Sequence, residues 1–396
     1  MNKQFAVFEA LGPVAAHVVE LRHDLHRHPE LGYEEHYTSA LVKRELGKLG
    51  IAVIGGLAGG TGVMGIIRKG DGPVVALRAD MDALPILEQT GLPWASQTPG
   101  RMHACGHDGH TAILLGAAAI LRDAPFQGTI KLLFQPAEEG GCGAERMCND
   151  GVLESPKVDA IFGLHGWPGL KVGMAATRAG ALLASVDGFT VRLKGKGTHA
   201  ASPQNGVDPI VAAAALVGAL QAIVSREGDP TEARVLTVAQ IHAGTSFNVI
   251  PDTAEINGTV RALSDGSRRS ILASLERVAR ATAEAHRCTA AIEYFGTTPP
   301  TTNTPALAEF VGHTAAEVLG TRAFVTAPRP AMWGEDFAFY LQHVPGCFYM
   351  LGVQPEGRES YPMLHNAEYD FTDAAVPVGI RMMVELALRF LERGTQ

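Results

Sequence analysis

Nine consecutive residues, Met102-His103-Ala104-Cys105-Gly106-His107-Asp108-Gly109-His110, set a thiol and an imidazole two positions apart with a glycine between them. Both side chains can point at one ion, and a thiolate beside a neutral imidazole suits zinc-like divalent metals. Taken alone, the run is equally a buried cysteine among polar residues that cap a helix. A second segment, Gln135-Pro136-Ala137-Glu138-Glu139-Gly140-Gly141, places two adjacent carboxylates after a strongly apolar run. Neighbouring residues at a strand end point different ways, so one glutamate can bind metal while the other faces substrate as a general base. In isolation, two surface glutamates on a solvated loop are the simpler reading. His165 follows the apolar run Ala160–Leu164, and His365 lies in Met363-Leu364-His365-Asn366 ahead of an Asp370-Phe371-Thr372 turn. Cys105, His107, Glu139, His165 and His365 are thus candidate ligands scattered along the chain, with Glu138 beside them.

Such a set works only if a fold gathers it. From Val14 to about Leu49 apolar residues recur at helical spacing, interrupted at His28-Pro29, where proline drives the preceding residue out of the helix, so two helices joined by a turn are predicted. Short β-branched runs follow at Ile51–Ile54, Gly62–Ile67 and Val74–Leu77, the last after the turn-forming Gly70-Asp71-Gly72-Pro73. A helix over Thr111–Leu121, a strand over Thr129–Phe134 and a buried strand over Ala160–Leu164 continue an α/β alternation. The acidic pair and His165 then fall at the C-terminal ends of strands, where open α/β sheets build ligand sites. Near Ser185 the pattern changes. A strand over Gly188–Lys194, an Ala-rich helix, strands over Val235–Ile241 and Ala254–Ala262, a helix from Ser267 to about His286 and a strand over Ala290–Phe295 follow in the ferredoxin-like order. Residues Thr297–Pro305 read as a return linker, after which a helix over Ala306–Leu319 resumes the earlier style. The expected fold class is α/β: a discontinuous catalytic domain of residues 1–186 plus 299–396, a mixed sheet with helices on both faces, interrupted by an inserted α+β domain over 187–298.

Composition excludes several functions. Lys and Arg number 33 against 41 Asp and Glu, a net charge of −8 that argues against nucleic-acid binding. Forty-five glycines in 396 residues exceed the usual ~7% share, which suits a glycine-rich α/β enzyme better than a disordered chain. Gly60-Thr61-Gly62-Val63-Met64-Gly65 matches the dinucleotide fingerprint, but Ile66-Ile67 and a Gly-Asp-Gly turn follow it, so it opens a hairpin and not the required helix. No serine sits in a Gly-x-Ser-x-Gly elbow. Five scattered cysteines, an odd number, fit a reducing cytoplasm, and the apolar stretch after Lys3 is interrupted by Glu9, so no signal peptide is expected. The apolar run Val211–Val224 is fourteen residues, too short to span a bilayer, and reads as a buried helix. Of the clumped histidines at the N-terminal end, His23 and His26 are one helical turn apart while His28 precedes proline, and a capping and packing role is expected for them.

Over essentially its whole length the chain resembles the M20 metallopeptidases, most closely their amidohydrolase branch of hippurate hydrolases, N-acyl-amino-acid amidohydrolases and plant auxin-conjugate hydrolases. The likeness rests on Arg22 through Glu34, Asp80-Met81-Asp82-Ala83-Leu84-Pro85, the His103–His110 run, Glu138-Glu139-Gly140-Gly141, Gly163-Leu164-His165, Thr198-His199-Ala200-Ala201, Phe247-Asn248-Val249-Ile250-Pro251, Gly334-Glu335-Asp336-Phe337 and Leu364-His365. These motifs are specific together and not singly. The resemblance implies a phosphorylase/hydrolase-like catalytic domain with an inserted lid and dimerisation domain, assembled as a homodimer or a tetramer. It further implies that Cys105, His107, Glu139, His165 and His365 hold divalent metals, two per subunit, of zinc, manganese, cobalt or nickel. Glu138 is the implied general base. His199, Asn248 and Arg261 are implied to reach substrate, His199 in the neighbouring subunit's site. Other branches carry His-x-Asp at Asp80-Met81-Asp82, so Asp80 receives no ligand role and Asp82 is expected to orient a ligand. Close relatives carry a small residue at Trp333 and a proline after the last histidine, where Asn366-Ala367 stand here, which bears on the substrate pocket and not on the metals.

The function expected from these residues is metal-assisted hydrolysis of the amide joining an acyl group to an amino acid, with Glu138 accepting a proton from the attacking water, His199 stabilising the oxyanion and Arg261 pairing the substrate carboxylate. The alternatives are a dipeptidase or carboxypeptidase with the same metal chemistry, and a metal- or ligand-binding homologue without turnover. The substrate is a small molecule; no nucleic-acid or membrane partner is expected, and the location is cytoplasmic.

Overall fold

A computed structural model describes residues 10–393. The Lys3–Glu9 stretch read above for a signal peptide lies outside them. Two compact units emerge. One comprises residues up to Leu182, Thr302–Arg329 and those from Asp336 on; the other comprises Leu183–Thr301 and Pro330–Glu335.

The first unit opens with α1 (Leu11–Arg27) and α2 (His36–Lys48), broken at His28-Pro29. Strands β1 (Ala52–Leu57) and β2 (Gly62–Lys69) form an antiparallel hairpin, so the glycine-rich run at 60–65 is a turn entering a strand. Strand β3 (Val74–Asp80), helix α3 (His107–Asp123), strand β4 (Gly128–Gln135) and strand β5 (Ala160–Lys171) follow. They belong to an eight-stranded mixed sheet whose order is β1, β2, β4, β3, β5, then the strands Gly346–Gln354, Ala175–Thr177 and Phe324–Thr326. The centre is parallel: β4 beside β3, β3 beside β5, and β5 beside Gly346–Gln354. Every residue of β3 and β4 is buried, as expected of parallel strands covered on both faces. Val18 and Leu25 of α1, Ile113 and Leu114 of α3 and Ile380 and Met383 of the last helix share one core with Val75, Leu77, Leu132 and Phe162 from the strands.

Two elements differ from the sequence reading. Helix α3 starts at His107, four residues before the expected Thr111, because His107, Asp108 and His110 are buried despite their polarity. Strand β5 does not stop at Leu164 but runs to Lys171, with His165 opposite Met350. His165 nevertheless lies beyond the last residue pair between β5 and β3, Gly163 with Arg78, so it sits past the C-terminal end of the β3–β5 ladder.

The second unit is a four-stranded antiparallel sheet in the order Arg234–Ala243, Thr253–Ala262, Val186–Lys194, Thr289–Thr298, the ferredoxin-like arrangement. The helices Pro209–Ala222 and Asp265–Ala285 contribute Leu216, Leu220, Ile271 and Leu275 to a core with Val191, Leu193, Ile256 and Val260. Asp208 caps the first helix by accepting from Ile210 N and Val211 N, and Ser264 caps the second by accepting from Ser267 N. The first continues through Ile223–Glu227, making a helical stretch of 19 residues, Pro209–Glu227, long and apolar enough to cross a membrane by length and composition. The helix is thus longer than the apolar run Val211–Val224, and its length alone does not exclude a membrane span. What identifies it as a core helix is the burial of Ala212, Ala213, Leu216 and Leu220 against this unit's own sheet.

Candidate metal centre

The C-terminal ends of β3 and β4, the middle of β5 at His165 and the N-terminus of α3 converge on one cluster in the first unit. Cys105, His107 and His165 form one trio; Cys105, Glu139 and His365 a second; His107, Glu138 and Glu139 a third. Within each, the donor atoms lie within 4.8 Å of one another, so all five candidate ligands and Glu138 are brought together. Cys105 Sγ is 3.3 Å from His165 Nε2, and His365 Nε2 is 3.1 Å from Glu139 Oε1. Gly106 makes the first trio attainable: it precedes α3 at φ +88°, and a Cβ there would lie 2.9 Å from Phe371 and 3.0 Å from the Tyr369 hydroxyl.

Hydrogen bonds leave the donor atoms facing inward. Asp82 Oδ1 is 3.1 Å from His107 Nδ1 while its Oδ2 accepts from Glu139 N at 2.9 Å, so one carboxylate orients two neighbours at once. His107 Nε2 remains buried with no hydrogen-bond partner, 3.6 Å from Asp80 Oδ2. His365, at φ +65°, is fixed by donation of its backbone N–H to Ala104 O at 2.8 Å.

The protonation states describe a cluster that holds protons where cations could stand. Burial, reinforced by Glu139, Glu138 and Asp80, pushes the Cys105 thiol well above its ordinary range. Burial opposes a charge on His107, but Asp80 and Asp82 outweigh it and lift its pKa to about 10. The hydrogen bond to Glu139 raises His365, whereas burial beside His110 drives His165 well below the usual imidazole value. Thiolate, imidazole and carboxylate donors around an orphaned, buried imidazole nitrogen fit divalent metals.

A further group was not anticipated. Asp80 lies with His107 and His110 in a fourth trio. His110 Nε2 accepts from Gly166 N at 2.8 Å, so the ring proton is on Nδ1, which donates to Asp80 Oδ1 at 2.6 Å. Arg78 donates to the other Asp80 oxygen at 2.8 Å and to Asp336 Oδ1 at 2.9 Å. Asp80 thereby anchors the strand next to His165. One spacing carried the signal: His107 and His110, three residues apart, share one face of a helix, while Asp80 ends β3 and Asp82 follows in the segment after it.

The N-terminal histidines both cap and pack: His28 is the C-cap residue of α1, with its Nδ1 2.8 Å from Asp24 O. His23 stacks on Trp94 with ring centroids 3.8 Å apart, and His26 lies between Asp108 Oδ2 at 2.8 Å and Glu88 Oε1 at 3.3 Å. Fully buried Arg22 pairs with Asp108 at 2.8 Å, Asp373 at 3.1 Å and Asp370. Among the described residues none of His23, His26 and His28 joins a metal-type trio.

His199, Asn248 and Arg261 all lie in the second unit, and the structure separates them. His199 pairs with Val249, and Ala200 N donates to Asn248 O at 3.0 Å, so His199 and Asn248 are neighbours. Arg261 is at the far end of Thr253–Ala262, bonded to Thr259 Oγ1 and to Val260 O at 3.0 Å. At ~3.3 Å per residue, the strand from Thr253 to Arg261 spans roughly 26 Å.

A mixed α/β sheet that collects thiol, imidazole and carboxylate donors at the ends of its parallel strands defines the class of protein: an α/β chain with a metal-type centre. Its residues 76–389 match Peptidase family M20/M25/M40, to which the chain belongs. It is 42% identical to the IAA-amino acid hydrolase ILR1-like 4 of Arabidopsis thaliana over 380 residues, 94% of this chain and 86% of that one. It is 41% identical to the N-acetyl-L-cysteine deacetylase of Bacillus subtilis over 385 residues, 96% and 90% of the two chains. The crystal structure of the YXEP protein of Bacillus subtilis, described as a dinuclear metal binding peptidase from the M20 family, is similar with a TM-score of 0.82 at 37% identity, covering 96% of this chain and 99% of that one.

Proposed function

We propose that this chain is a metal-dependent amidohydrolase that cleaves N-acyl amino acids to a carboxylic acid and a free amino acid. The observation that carries the reading is the convergence of Cys105, His107, Glu139, His165 and His365 around Glu138 in one unit. The named activities of the relatives at 41% and 42% identity, both hydrolyses of amide-linked amino acids, support it.

These five residues would hold two divalent ions of zinc, manganese, cobalt or nickel, with Asp82 orienting His107 and the Glu139 backbone. Bound there, the metals would supply Lewis-acid polarisation of the carbonyl and would lower the pKa of a water. Glu138, half-buried and 3.4 Å from the backbone N–H of Asp336, takes the proton of the attacking water and returns it to the leaving nitrogen. In the second unit, His199 Nδ1 accepts from Ala201 N at 3.0 Å, which puts the ring proton of a neutral His199 on Nε2. That exposed N–H is a suitable donor to a developing oxyanion. Asn248 and Arg261 bind substrate, Arg261 through its carboxylate.

The ~26 Å between the two ends of the Thr253–Ala262 strand keeps His199 and Arg261 of one chain from touching one small substrate. It favours a homodimer in which His199 serves the second copy. The helix Pro209–Ala222 leaves Ile210, Val211, Ala214, Ala215 and Gly218 exposed, an apolar face suited to a second copy. None of the five cysteines forms a disulfide among the described residues, which favours a cytoplasmic location.

The test is hydrolysis of N-acetyl and N-benzoyl amino acids beside a plain dipeptide, each with metals added singly to chelator-stripped protein. Glu138→Gln should keep its metal and lose about 100-fold or more in kcat. Near-normal turnover in that variant removes the base assignment, and turnover of the dipeptide alone replaces the amidohydrolase with a dipeptidase.

A further inference from the structure

The motif around Pro29–Glu35 is absorbed by none of the roles above, yet its carboxylates are placed with evident division of labour. Glu35 occupies the N-cap position of α2, where a short polar side chain ordinarily accepts from the first-turn amides. Its own side chain makes no such bond. Glu30 does the capping instead, accepting from Tyr37 N at 2.8 Å and Thr38 N at 2.9 Å. The Glu35 carboxylate, wholly buried, turns the other way. Oε1 accepts from Ala137 N at 2.8 Å, and Oε2 accepts from the Thr61 hydroxyl, also at 2.8 Å.

Ala137 is the residue before Glu138, and its backbone is left-handed at φ +53°. A residue with a Cβ takes that conformation at a cost, so something must hold it. Several neighbours do. Gly32 approaches so closely that a Cβ there would lie 3.0 Å from the Ala137 Cβ. Ala137 O accepts from Gly143 N at 3.2 Å, and the Tyr33 hydroxyl donates to Gly141 O. Downstream, Asp82 independently fixes Glu139 N. Thr61, between the first two glycines of the apparent dinucleotide fingerprint, is thereby explained: the hairpin turn delivers one hydroxyl to one buried carboxylate.

We propose that Glu35 is the positioning residue of the general base, holding Ala137 in its left-handed conformation through the Ala137 N–H and so aiming Glu138 into the cluster. This rests on the reading of Glu138 as the base. Thr61 keeps the Glu35 carboxylate in register, and Asp82 sets the adjoining Glu139 separately. Losing Glu35 therefore disturbs the base more than the ligand beside it.

The experiment compares Glu35→Ala, Glu35→Gln, Glu35→Ala with Ala137→Gly, and Glu138→Gln, by kcat and KM on an N-acetyl amino acid and by metal stoichiometry from chelator competition. Glu35→Ala should lower kcat by about 100-fold, the scale of a misplacement near 1 Å, with KM changed by less than about threefold and metal stoichiometry retained. Glutamine can still accept from Ala137 N and donate to Thr61 Oγ1, and burial already raises the Glu35 pKa towards the neutral form. Glu35→Gln should therefore stay within about fivefold of the parent kcat. Glycine takes a positive φ without strain, so adding Ala137→Gly to Glu35→Ala should recover about fivefold, which a merely structural role would not produce. Should Glu35→Ala not fold, Thr61→Val frees only one carboxylate oxygen and serves the same comparison; an unchanged kcat there overturns the proposal. Parent-like kcat in Glu35→Ala beside an inactive Glu138→Gln also overturns it, as does equal loss in Glu35→Ala and Glu35→Gln with no recovery from Ala137→Gly. An active Glu138→Gln instead overturns the base assignment, a distinguishable failure.

Discussion

Protonated His26 should stabilise the folded chain, and the pH at which that contribution disappears is set by its surroundings. The imidazole is buried between Asp108 and Glu88, with Arg22 Nη2 3.5 Å from Nδ1 and the His103 ring centroid 6.2 Å away. Burial disfavours its charge and Arg22 repels it, but Asp108 and Glu88 outweigh both, lifting the pKa from 6.5 to about 9. At ~1.4 kcal/mol per pH unit, that rise corresponds to about 3 kcal/mol of folding free energy. A histidine with a raised native pKa binds its proton in the folded chain after the unfolded chain has lost it. The contribution is therefore complete below pH 6.5 and vanishes as pH climbs through about 9. Urea unfolding of the parent and of His26→Gln at pH 6 and pH 9.5 isolates it: the parent's advantage should be larger by about 3 kcal/mol at the lower pH. An advantage that is the same at both pH values, or larger at pH 9.5, would refute the assignment of a protonated, doubly paired His26.

Loading the metal-free cluster should expel protons from Cys105, whose thiol burial and the neighbouring carboxylates keep protonated, and from His107, held to about 10. Apparent affinity should then fall as pH falls, by about tenfold per pH unit for each of the two protons, and calorimetry in buffers of different protonation enthalpy should detect them; a heat independent of buffer refutes this. On the exposed face of the helix Pro209–Ala222, Val211→Glu should convert the proposed homodimer to monomer in light scattering and reduce turnover with it. An unchanged mass would locate the interface elsewhere.

Much of this architecture was legible because apolar periodicity is local. The helix pair broken at Pro29, the hairpin after Leu49 and the ferredoxin-like order all follow from patterns within about twenty residues. The parts that were not legible have particular physical origins. His107, Asp108 and His110 are buried in the first turn of α3, so a search for apolar spacing begins that helix one turn late. Gly163, His165, Gly166 and Pro168 interrupt β-propensity, which hid the second half of β5 although its pairing with Gly346–Gln354 continues past them. The partners of Arg22 lie 86, 348 and 351 positions away, and no spacing rule reaches that far.

Those distant charge pairs bear on how the site is built. A buried ion pair stabilises a fold little compared with well-packed apolar residues of the same volume, while breaking one costs about 3–5 kcal/mol. Arg22 with Asp108, Asp370 and Asp373, Arg78 with Asp80 and Asp336, and Glu35 with Thr61 and Ala137 are therefore poor choices if stability were all the core had to supply. Each is a rigid connection to a residue adjoining the cluster. Asp108 follows His107, Asp370 and Asp373 follow the His365 loop, Asp80 holds His110 against the strand of His165, and Ala137 precedes Glu138. Apolar contacts would tolerate small slides at these points, whereas paired charges and buried amides fix direction as well as distance. The candidate ligands were recognisable because their types are reactive; the residues that aim them were hidden because, read one at a time, they are ordinary charges in the wrong place.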